Sequence, residues 1–519
     1  MQTDHPSSTP RPMLKVVNTL FRIYIGRYRR ELREHYDNPV RIQQELLRDL
    51  LARNAKTAFG VEHGFDRILR EPDTYADRVP IRTYEAHLPY LDRVLGGDRQ
   101  VLTADEPDWL ATTSGTTGAP KYLPYSNHAV REIHLKGSWM SLACLYEKDP
   151  EIQVFNKKNL LIGGAFKGIH AASGLRQGDI SAIIIQSIPK VMRSFYIPDL
   201  DLATEVDYAT KIEKIAQLAA TEPGITILGG VPTWNLPLYR RILEISGAKN
   251  MVEVWPDARV FKHGGVNFAP YREQFEQLFP REDFIFQEIY NATEGFFGVQ
   301  DKDDLRTMLL ILNAGVYYEF ITWKNYQQQH FKTAVSLSGV TTGEIYVMII
   351  TTEAGLYRYP MGDLIEFTET DPFRIRILGR TQEFINAFGE DLLRSEAEAA
   401  LLEACKQTGA LVREFTVAPV YIKLDGKGRH HWVVEFERAP ADFDRFNDLL
   451  DVELQASNYN YKAKRSNDYA IGRHRLTVAP DGFFRGWLRA RGKEGGQHKV
   501  PRLANHRRFL DDILARINE

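Results

Sequence analysis

The chain has 519 residues, of which 43% are hydrophobic and 26% are charged, a composition typical of soluble globular proteins with more than one core. Lysine and arginine number 66 against 68 aspartates and glutamates. The whole chain therefore lacks the basic excess of a dedicated nucleic-acid-binding protein, and no nucleic acid is expected as a partner. The only cysteines, Cys144 and Cys405, are far apart, which argues against a disulfide framework and fits a reducing cytoplasm.

The N-terminal segment gives no sign of targeting to a membrane. Residues 1–12 are polar and lack the apolar stretch of a signal peptide. No uninterrupted apolar run reaches the roughly 18 to 20 residues that a membrane helix needs. Residues 15–36 mix leucine, phenylalanine and isoleucine with several arginines, and such a basic amphipathic helix could lie on a membrane, although packing on its own domain is the preferred interpretation. We therefore expect a cytoplasmic protein without a membrane partner.

The predicted elements alternate along the chain. Residues 39–54 carry apolar side chains at helical spacing. Apolar runs typical of strands follow at 159–164, 181–186, 225–230, 257–265 and 284–290. Helical stretches are predicted between them at 204–220, 236–246 and 271–278. This alternation predicts parallel sheets covered by helices on both faces, and the runs at 343–352 and 364–369 predict a later β-rich portion.

A domain boundary is expected near 378–380. Beyond it, Ser395 and Glu398 have capping-box spacing and predict a helix that runs toward Gly409. The runs 415–424 and 430–437 flank a glycine-containing turn and predict a hairpin. The predicted fold class is α/β, with helices flanking β-sheets in a large N-terminal domain over 1–379. The remainder, 380–519, is predicted to be a small mobile α+β domain that closes over a substrate.

The most informative motif is a run of small and hydroxyl-bearing residues at 111–126, ATTSGTTGAPKYLPYS. Its glycines let backbone N–H groups approach phosphate oxygens, its hydroxyls add donors and Lys121 adds positive charge. A Walker A loop is excluded, because Pro120 precedes the lysine and Tyr122 follows it. The alternative is a flexible polar turn, which the density of such residues disfavours. The motif therefore predicts a phosphate-binding loop.

Two acidic residues stand in further motifs. Glu294 lies in YNATEGFFG at 290–298, directly after a predicted strand, where a carboxylate can hold magnesium. Asp363 ends GLYRYPMGD at 355–363 and could accept hydrogen bonds from two ribose hydroxyls. Taken singly, each residue is more simply interpreted as an ordinary turn residue. The order of the motifs along the chain is what favours a functional interpretation of both.

That order resembles a known superfamily. Together with GRTQEFINAFGE at 379–390, the motifs are similar to the phosphate loop, Tyr-x-x-Thr-Glu motif, ribose aspartate and hinge of the adenylate-forming, firefly-luciferase-like enzymes. Within them the chain most closely resembles the GH3 acyl acid–amido synthetases and looks like a non-plant member. The resemblance covers nearly the whole chain, through segments at 51–65, 79–103, 195–199, 229–234, 317–320 and 497–503.

The resemblance implies a role for each motif residue. The nucleotide-binding set that it implies is Thr113, Ser114, Gly115, Thr116, Thr117, Gly118, Lys121, Gly264, Gly265, Tyr290, Asp363 and Arg380. The catalytic set that it implies is Thr293 at the α-phosphate, Glu294 as the Mg²⁺ ligand and Lys499 at the reacting carboxylate. An ordinary surface lysine in a basic tail is an equally good interpretation of Lys499.

The implied activity is that of a ligase that forms a carbon–nitrogen bond. ATP and Mg²⁺ would convert a carboxylic acid into its acyl-AMP, and an amine, expected to be an amino acid, would then displace AMP. An acyl-CoA ligase that uses the same adenylate is one alternative. A non-catalytic homologue that binds nucleotide or acid is another, and the intact motifs argue against it.

Further expectations concern the acid and the acceptor. The acid pocket is expected between 122–144, 163–173 and 229–237. Its expected aromatic walls are Phe166, Trp139, Trp234 and Tyr318. His170 is a candidate base for the amine, although a structural role is the preferred interpretation.

Two positions depart from the pattern of the plant GH3 proteins. Gly389, Glu390 and Asp391 stand where those proteins carry Asp-Lys-Thr, so a lysine contact to the nucleotide is lost or comes from elsewhere. His498 replaces a tyrosine beside Lys499. Both departures lie in the predicted small domain, so they bear more on the second half-reaction than on the first.

Overall fold

A computed structural model describes residues 11–113, 121–150, 152, 154, 157–205, 207–265, 268, 271–303, 307–381, 384–390, 392–422, 427–466, 470–491 and 500–517. The helices are α1 (Arg11–Asp37), α2 (Pro39–Asn54), α3 (Ala58–Glu62), α4 (Phe65–Ile68), α5 (Tyr75–Arg78), α6 (Tyr84–Leu95), α7 (Asn127–Ala129), α8 (Lys136–Lys148), α9 (Ile180–Gln186), α10 (Leu200–Ala203), α11 (Tyr208–Ala220), α12 (Pro232–Ser246), α13 (Met251–Val254), α14 (Arg272–Leu278), α15 (Trp323–Gln327), α16 (Arg394–Thr408), α17 (Phe443–Ser457), α18 (Tyr459–Arg465), α19 (Phe483–Ala490) and α20 (Arg508–Ile517).

The strands are β1 (Trp109–Thr113), β2 (Lys121–Tyr125), β3 (Lys158–Leu161), β4 (Phe166–Ile169), β5 (Arg176–Asp179), β6 (Tyr196–Ile197), β7 (Ile225–Gly230), β8 (Val260–His263), β9 (Ile285–Ala292), β10 (Gly295–Val299), β11 (Met308–Leu310), β12 (Val316–Thr322), β13 (Val335–Ser336), β14 (Ile345–Thr352), β15 (Tyr359–Thr370), β16 (Phe373–Arg380), β17 (Phe384–Ile385), β18 (Leu392–Leu393), β19 (Leu411–Val420), β20 (Arg429–Arg438) and β21 (Arg475–Ala479).

One large sheet organises the first three quarters of the chain. Its order is β13-β12-β14-β15-β16-β11-β10-β9-β8-β7-β3-β6. Strands β6, β3, β7, β8 and β9 are parallel, and the strands from β10 onward pair antiparallel. The predicted α/β class with a later β-rich portion is therefore confirmed.

The prediction of a strand at 181–186 is wrong, because these residues form the helix α9. The strand of this region is β5, which ends at Asp179 and pairs with β1 and β4. Ile183 packs into the main core while Ile185 packs with Ile188, on another side of the helix. A short helix buried on several sides gives the same uninterrupted apolar run as a buried strand.

The C-terminal residues form a smaller α+β unit. Strands β19, β20 and β21 make a three-stranded sheet, in which the predicted hairpin is the antiparallel β19–β20 pair. The predicted helix at Ser395 is α16, which packs against α17. One apolar cluster continues from α11, α12 and α14 into this unit, and Tyr421 contacts Tyr271 edge to face at 5.8 Å between ring centroids.

The basic N-terminal helix α1 packs on the protein. Its apolar face, with Phe21, Ile25 and Leu32, is buried, and Phe21 contacts Trp139 of α8 at 5.8 Å between ring centroids. The preferred interpretation of this segment is therefore confirmed. Among the described residues, no helix has the length and apolar character needed to span a membrane.

The motif at 355–363 contains a structural arginine. Arg358 has a positive φ of 48°, and its buried guanidinium forms a two-point ion pair with Glu319 of β12 at 2.7 and 2.9 Å. The same group donates to the carbonyl oxygens of Ala76 and Val79, both at 2.8 Å. Arg358 thus links β12 to the segment around α5. It precedes Asp363, the residue of the same motif that is expected to contact the ribose.

Replacement of Arg358 by methionine is expected to lower the free energy of unfolding by about 3 to 5 kcal/mol, because Glu319 keeps a buried charge without its partner. Urea unfolding measures this loss. The matched control is Arg376→Met, whose pair with Glu366 is partly exposed and is expected to contribute less than about 1 kcal/mol. Equal losses in the two variants would contradict a special role for Arg358.

Candidate active site

A cavity of about 800 Å³ lies at the carboxyl ends of the parallel strands, the usual position of a ligand site in an open α/β sheet. The C-terminal unit closes one side of it. Of the nucleotide-binding and catalytic residues that the resemblance implies, Thr113, Gly264, Gly265 and Thr293 line the cavity. The lining residues from the C-terminal unit are Asn386, Gly389, Glu396, Ser457, Asn458, Tyr459 and Asn460.

The predicted phosphate loop connects two paired strands. Thr113 ends β1 and Lys121 begins β2, and the two residues are cross-strand partners. The residues between them, including Ser114, Gly115, Thr116, Thr117 and Gly118, lie outside the described residues. The Lys121 ammonium lies 3.4 Å from the hydroxyl of Tyr359 and 5.1 Å from the ring centroid of Tyr84. The antiparallel pair thus fixes where the loop leaves and rejoins the sheet.

Gly264 and Gly265 follow β8 directly and allow a close approach to the backbone. A Cβ atom on Gly264 would lie 2.4 Å from the carbonyl oxygen of Ile289, so any side chain there would force the strands apart. Gly265 has φ +81°, a conformation that favours glycine. Asn386 of the C-terminal unit donates to the Gly265 carbonyl oxygen at 3.3 Å. Both glycines therefore shape a flat edge of the cavity beside the C-terminal unit.

The Thr293–Glu294 turn joins β9 to β10. The buried Tyr125 hydroxyl donates to the Thr293 carbonyl oxygen at 2.6 Å, and the His134 ring lies 3.2 Å from that hydroxyl. Burial lowers the pKa of His134 to about 3, so the ring is neutral at physiological pH. This buried network fixes the turn, with Thr293 on the cavity wall and Glu294 half-buried beside it.

Tyr290 and Asp363 form a buried pair, and Tyr290 lies between Ile289 and Asn291, which line the cavity. The Tyr290 hydroxyl donates to Asp363 Oδ2 at 2.5 Å. Asp363 is the cross-strand partner of Arg380, at the start of the β15–β16 ladder and the end of β16. The backbone of Arg380 is therefore placed beside Asp363, while its side chain lies outside the described residues, as do Lys499 and His498.

The aromatic residues expected around the acid divide into two groups. Trp139 of α8 and Trp234 of α12 line the cavity. Tyr318 does not, because it is fully buried and donates to the Ile311 carbonyl oxygen. Phe166 packs edge to face on Trp109 at 6.4 Å between ring centroids and is not among the lining residues. The expectation is therefore wrong for Tyr318 and Phe166.

His170 and Glu390 are held by neighbouring protein groups. The His170 ring lies 2.9 Å from the Ser173 hydroxyl and does not line the cavity. The Glu390 carboxylate is fully buried, accepts from the Phe388 N–H at 2.6 Å and pairs with His430 at 2.8 Å. Glu390 therefore points into the small unit rather than replacing a nucleotide-binding lysine.

Several cavity residues are ones that the motifs do not include. His263 is buried and stacks on Phe268 at 3.9 Å, and among the described residues neither of its ring nitrogens has a hydrogen-bond partner. Lys262 is half-buried, and its ammonium donates to the Ser141 hydroxyl at 2.6 Å. Glu396 accepts a hydrogen bond from Asn458 at 2.7 Å. In the sequence, the only indication that Lys262 and His263 belong to the site is their position directly before Gly264 and Gly265.

The expected Mg²⁺ site has one protein ligand, the carboxylate of Glu294. The described residues contain no group of three or more histidine, cysteine or acidic residues able to hold a metal ion. Mg²⁺ in nucleotide sites is commonly bound by one or two carboxylates together with substrate phosphates and water. A half-buried Glu294 beside the cavity fits that kind of site, in which ATP itself supplies the other ligands.

Comparisons with known proteins identify the family of the chain. Residues 28–218 and 205–284 match the GH3 family N-terminal domain, 309–380 the central domain and 395–508 the C-terminal domain. The chain is 22% identical to the indole-3-acetic acid-amido synthetase GH3.17 of Arabidopsis thaliana, over 92% of this chain and 93% of that protein.

Two solved structures share the fold. The AtGH3.15 acyl acid amido synthetase in complex with 2,4-DB has a TM-score of 0.57 and 20% identity, over 92% of this chain and 94% of that one. The 2-hydroxyisobutyryl-CoA ligase in complex with 2-HIB-AMP and CoA has a TM-score of 0.53 and 12% identity, over 100% and 98%. The three family domains together span most of the sequence, and the chain belongs to the GH3 family.

Proposed function

We propose that the protein activates a carboxylic acid with ATP as its acyl-AMP and transfers the acyl group to an amine, with an amino acid as the acceptor. The observation that carries the proposal is the convergence of motif residues on one cavity. Thr113, Thr293 and the Gly264–Gly265 pair line it, and Asp363 accepts a hydrogen bond from Tyr290, which lies between the lining residues Ile289 and Asn291. Lys121, at the end of the phosphate loop, is the cross-strand partner of Thr113.

The reaction needs activation because a carboxylate is a poor electrophile. In the first step a carboxylate oxygen attacks the α-phosphorus of ATP, and pyrophosphate leaves. In the second, a neutral amine attacks the acyl carbonyl, AMP leaves with the bonding electrons and the amine loses a proton. The protein contributes mainly by positioning these groups and by stabilising charge at the α-phosphate.

Each motif residue has a proposed part in that positioning. The loop 114–118 with Thr113 and Lys121 would hold phosphates, Thr293 would orient the α-phosphate, and Lys499 would approach the reacting carboxylate. Tyr290 holds Asp363 toward the ribose, and the glycine edge admits the adenine. Glu294 would bind Mg²⁺, which supplies positive charge to the phosphate oxygens. Arg380 would contact the nucleotide from the end of β16.

We also propose that the chain divides between residues 379 and 380 and that the C-terminal part closes over the nucleotide. In support, β16 is the last strand of the large sheet along the chain and ends at Arg380. The C-terminal unit already contributes Glu396, Asn458 and Tyr459 to the cavity wall. A cytoplasmic location is part of the proposal, and the buried, unpaired Cys144 and Cys405 fit it.

The amide product is expected whenever acid, ATP, Mg²⁺ and a suitable amino acid are combined, and mass spectrometry of the products tests this. The matched reaction replaces the amino acid with coenzyme A, since a CoA ligase shares the fold. Acyl-AMP consumption stimulated only by coenzyme A would contradict the amine as acceptor. Failure of every acid to release pyrophosphate would instead favour a non-catalytic binding protein.

A further inference from the structure

A half-buried positive charge, the ammonium of Lys262, lies on the wall of the cavity. Lys262 is on β8, and its neighbour across the parallel pair is Gln287 of β9. The Lys262 ammonium donates to Ser141 of α8 at 2.6 Å, and Gln287 donates to the carbonyl oxygen of the same serine at 3.0 Å. Lys262 also lines the cavity, so its charge is held by neutral groups at the cavity wall.

The charge has no acidic partner within the described part of the chain. No carboxylate forms an ion pair with Lys262, and its hydrogen bond is to a neutral hydroxyl. The other lysine of the lining differs, since Lys167 pairs with Asp179 at 2.9 Å. Burial lowers the pKa of Lys262 to about 8. An uncompensated buried cation is costly, and a bound anion would remove that cost.

Lys262 lies at a distance from the place where the acid would react with ATP. Gly264, at the nucleotide edge, follows it by two residues, which is about 6.6 Å along an extended strand. Ser138 and Leu142, which flank Ser141 in sequence on α8, line the cavity beside it. The wall around Lys262 therefore carries a positive charge that a simple hydrophobic acid would leave without a partner.

We propose that the acid substrate carries a second anionic group, a carboxylate, which binds Lys262 while the first carboxylate faces the α-phosphate. The inference rests on the proposed adenylation and specifies its substrate class as a dicarboxylic acid. Isoleucine and leucine side chains of the lining would contact an apolar spacer. Among them are Leu135, Leu142, Ile162, Ile180, Ile184 and Ile227.

The test compares acids that differ only in the second group. Dicarboxylates of graded length are paired with the monocarboxylate of the same skeleton and with the half-amide, which keeps size and hydrogen bonding but not charge. Acid-dependent pyrophosphate release gives kcat/KM for each. The wild-type chain is expected to prefer the best dicarboxylate by roughly 10- to 100-fold, the range of a charged hydrogen bond.

Lys262→Met is expected to remove that preference, so that the ratio of its kcat/KM for the dicarboxylate to its kcat/KM for the monocarboxylate falls to about one, whatever its absolute rates. Lys262→Gln is a second variant in case the first does not fold. The matched control is Lys157→Met, a lysine outside the cavity that pairs with Asp257, which is expected to keep the wild-type preference. Thermal stabilisation by each acid in the absence of ATP measures binding without turnover.

The outcomes separate the two proposals. Equal use of the paired acids, or a preference that survives in Lys262→Met, overturns the dicarboxylate inference and leaves adenylation standing. If no acid releases pyrophosphate, adenylation is overturned. If a dicarboxylate then still raised the melting temperature of the wild-type chain but not of Lys262→Met, the anion site would remain supported. If no dicarboxylate stabilised the wild-type chain, the anion site would be overturned as well.

Discussion

Glu294→Gln is expected to lower acid-dependent pyrophosphate release by roughly 100- to 1000-fold, the scale seen when one preorganised stabilising group is removed from an active site. Glutamine keeps the size of the side chain but lacks the negative charge that binds Mg²⁺. The turn itself should persist, because Tyr125 holds the Thr293 backbone and not the Glu294 side chain. Release measured over a Mg²⁺ titration should show the loss at every concentration below saturation.

The matched control for this prediction is Glu276→Gln, an exposed carboxylate on α14 that pairs with Arg272. It is expected to retain wild-type rates and wild-type Mg²⁺ dependence. Circular dichroism and melting temperature should be the same for both variants and the parent chain. Unchanged pyrophosphate release in Glu294→Gln would show that the magnesium assignment is wrong.

Asp363→Asn is expected to raise the KM for ATP by roughly 10- to 100-fold, because the ribose hydroxyls would lose a charged hydrogen-bond acceptor. Tyr290→Phe removes the hydroxyl that donates to Asp363 at 2.5 Å and should give a smaller increase. Initial rates over an ATP series measure both. The KM for the acid should move much less than the KM for ATP.

The control for the ribose prediction is Asp371→Asn, in the exposed turn between β15 and β16. It is expected to leave the KM for ATP unchanged. A normal KM for ATP in Asp363→Asn would contradict the ribose assignment. A fall in kcat for Tyr290→Phe with no change in the KM for ATP would show that the tyrosine acts elsewhere.

Local patterns predicted the regular elements where they were long or strongly periodic. The helix α2 has its predicted bounds, Pro39–Asn54, since apolar spacing and a proline at the first helical position agree there. The run at 181–186 shows where the pattern fails. Three consecutive isoleucines are compatible with both a buried strand and a short buried helix. Only the tertiary packing of α9 distinguishes these two structures.

The motif at 355–363 shows a similar limit within one stretch of sequence. Its order predicts Asp363 beside the nucleotide, and in the structure that residue accepts a hydrogen bond from Tyr290. Arg358, in the same motif, binds Glu319 across the sheet. The partner of each residue is far away in sequence, so the motif alone could not show which member is structural.

The residues that line the cavity could not be predicted reliably without the folded structure. Trp139 and Trp234 were predicted from their position near the expected pocket, but the same reasoning misplaced Tyr318, which faces the core. Lys262 has no motif around it except the following glycines. It becomes informative only when β8 and α8 bring its ammonium to Ser141. Likewise, Glu396 reaches the cavity only because the C-terminal unit packs against its edge.

Exchange of labelled pyrophosphate into ATP tests the central claim, acid adenylation, most directly. It needs neither an amine nor coenzyme A, because it reports reversal of the first step alone. Exchange is expected to depend on a carboxylic acid and on Mg²⁺, and to be nearly absent in Glu294→Gln. Exchange that proceeds without acid, or none with any acid while ATP binds normally, would contradict the central claim.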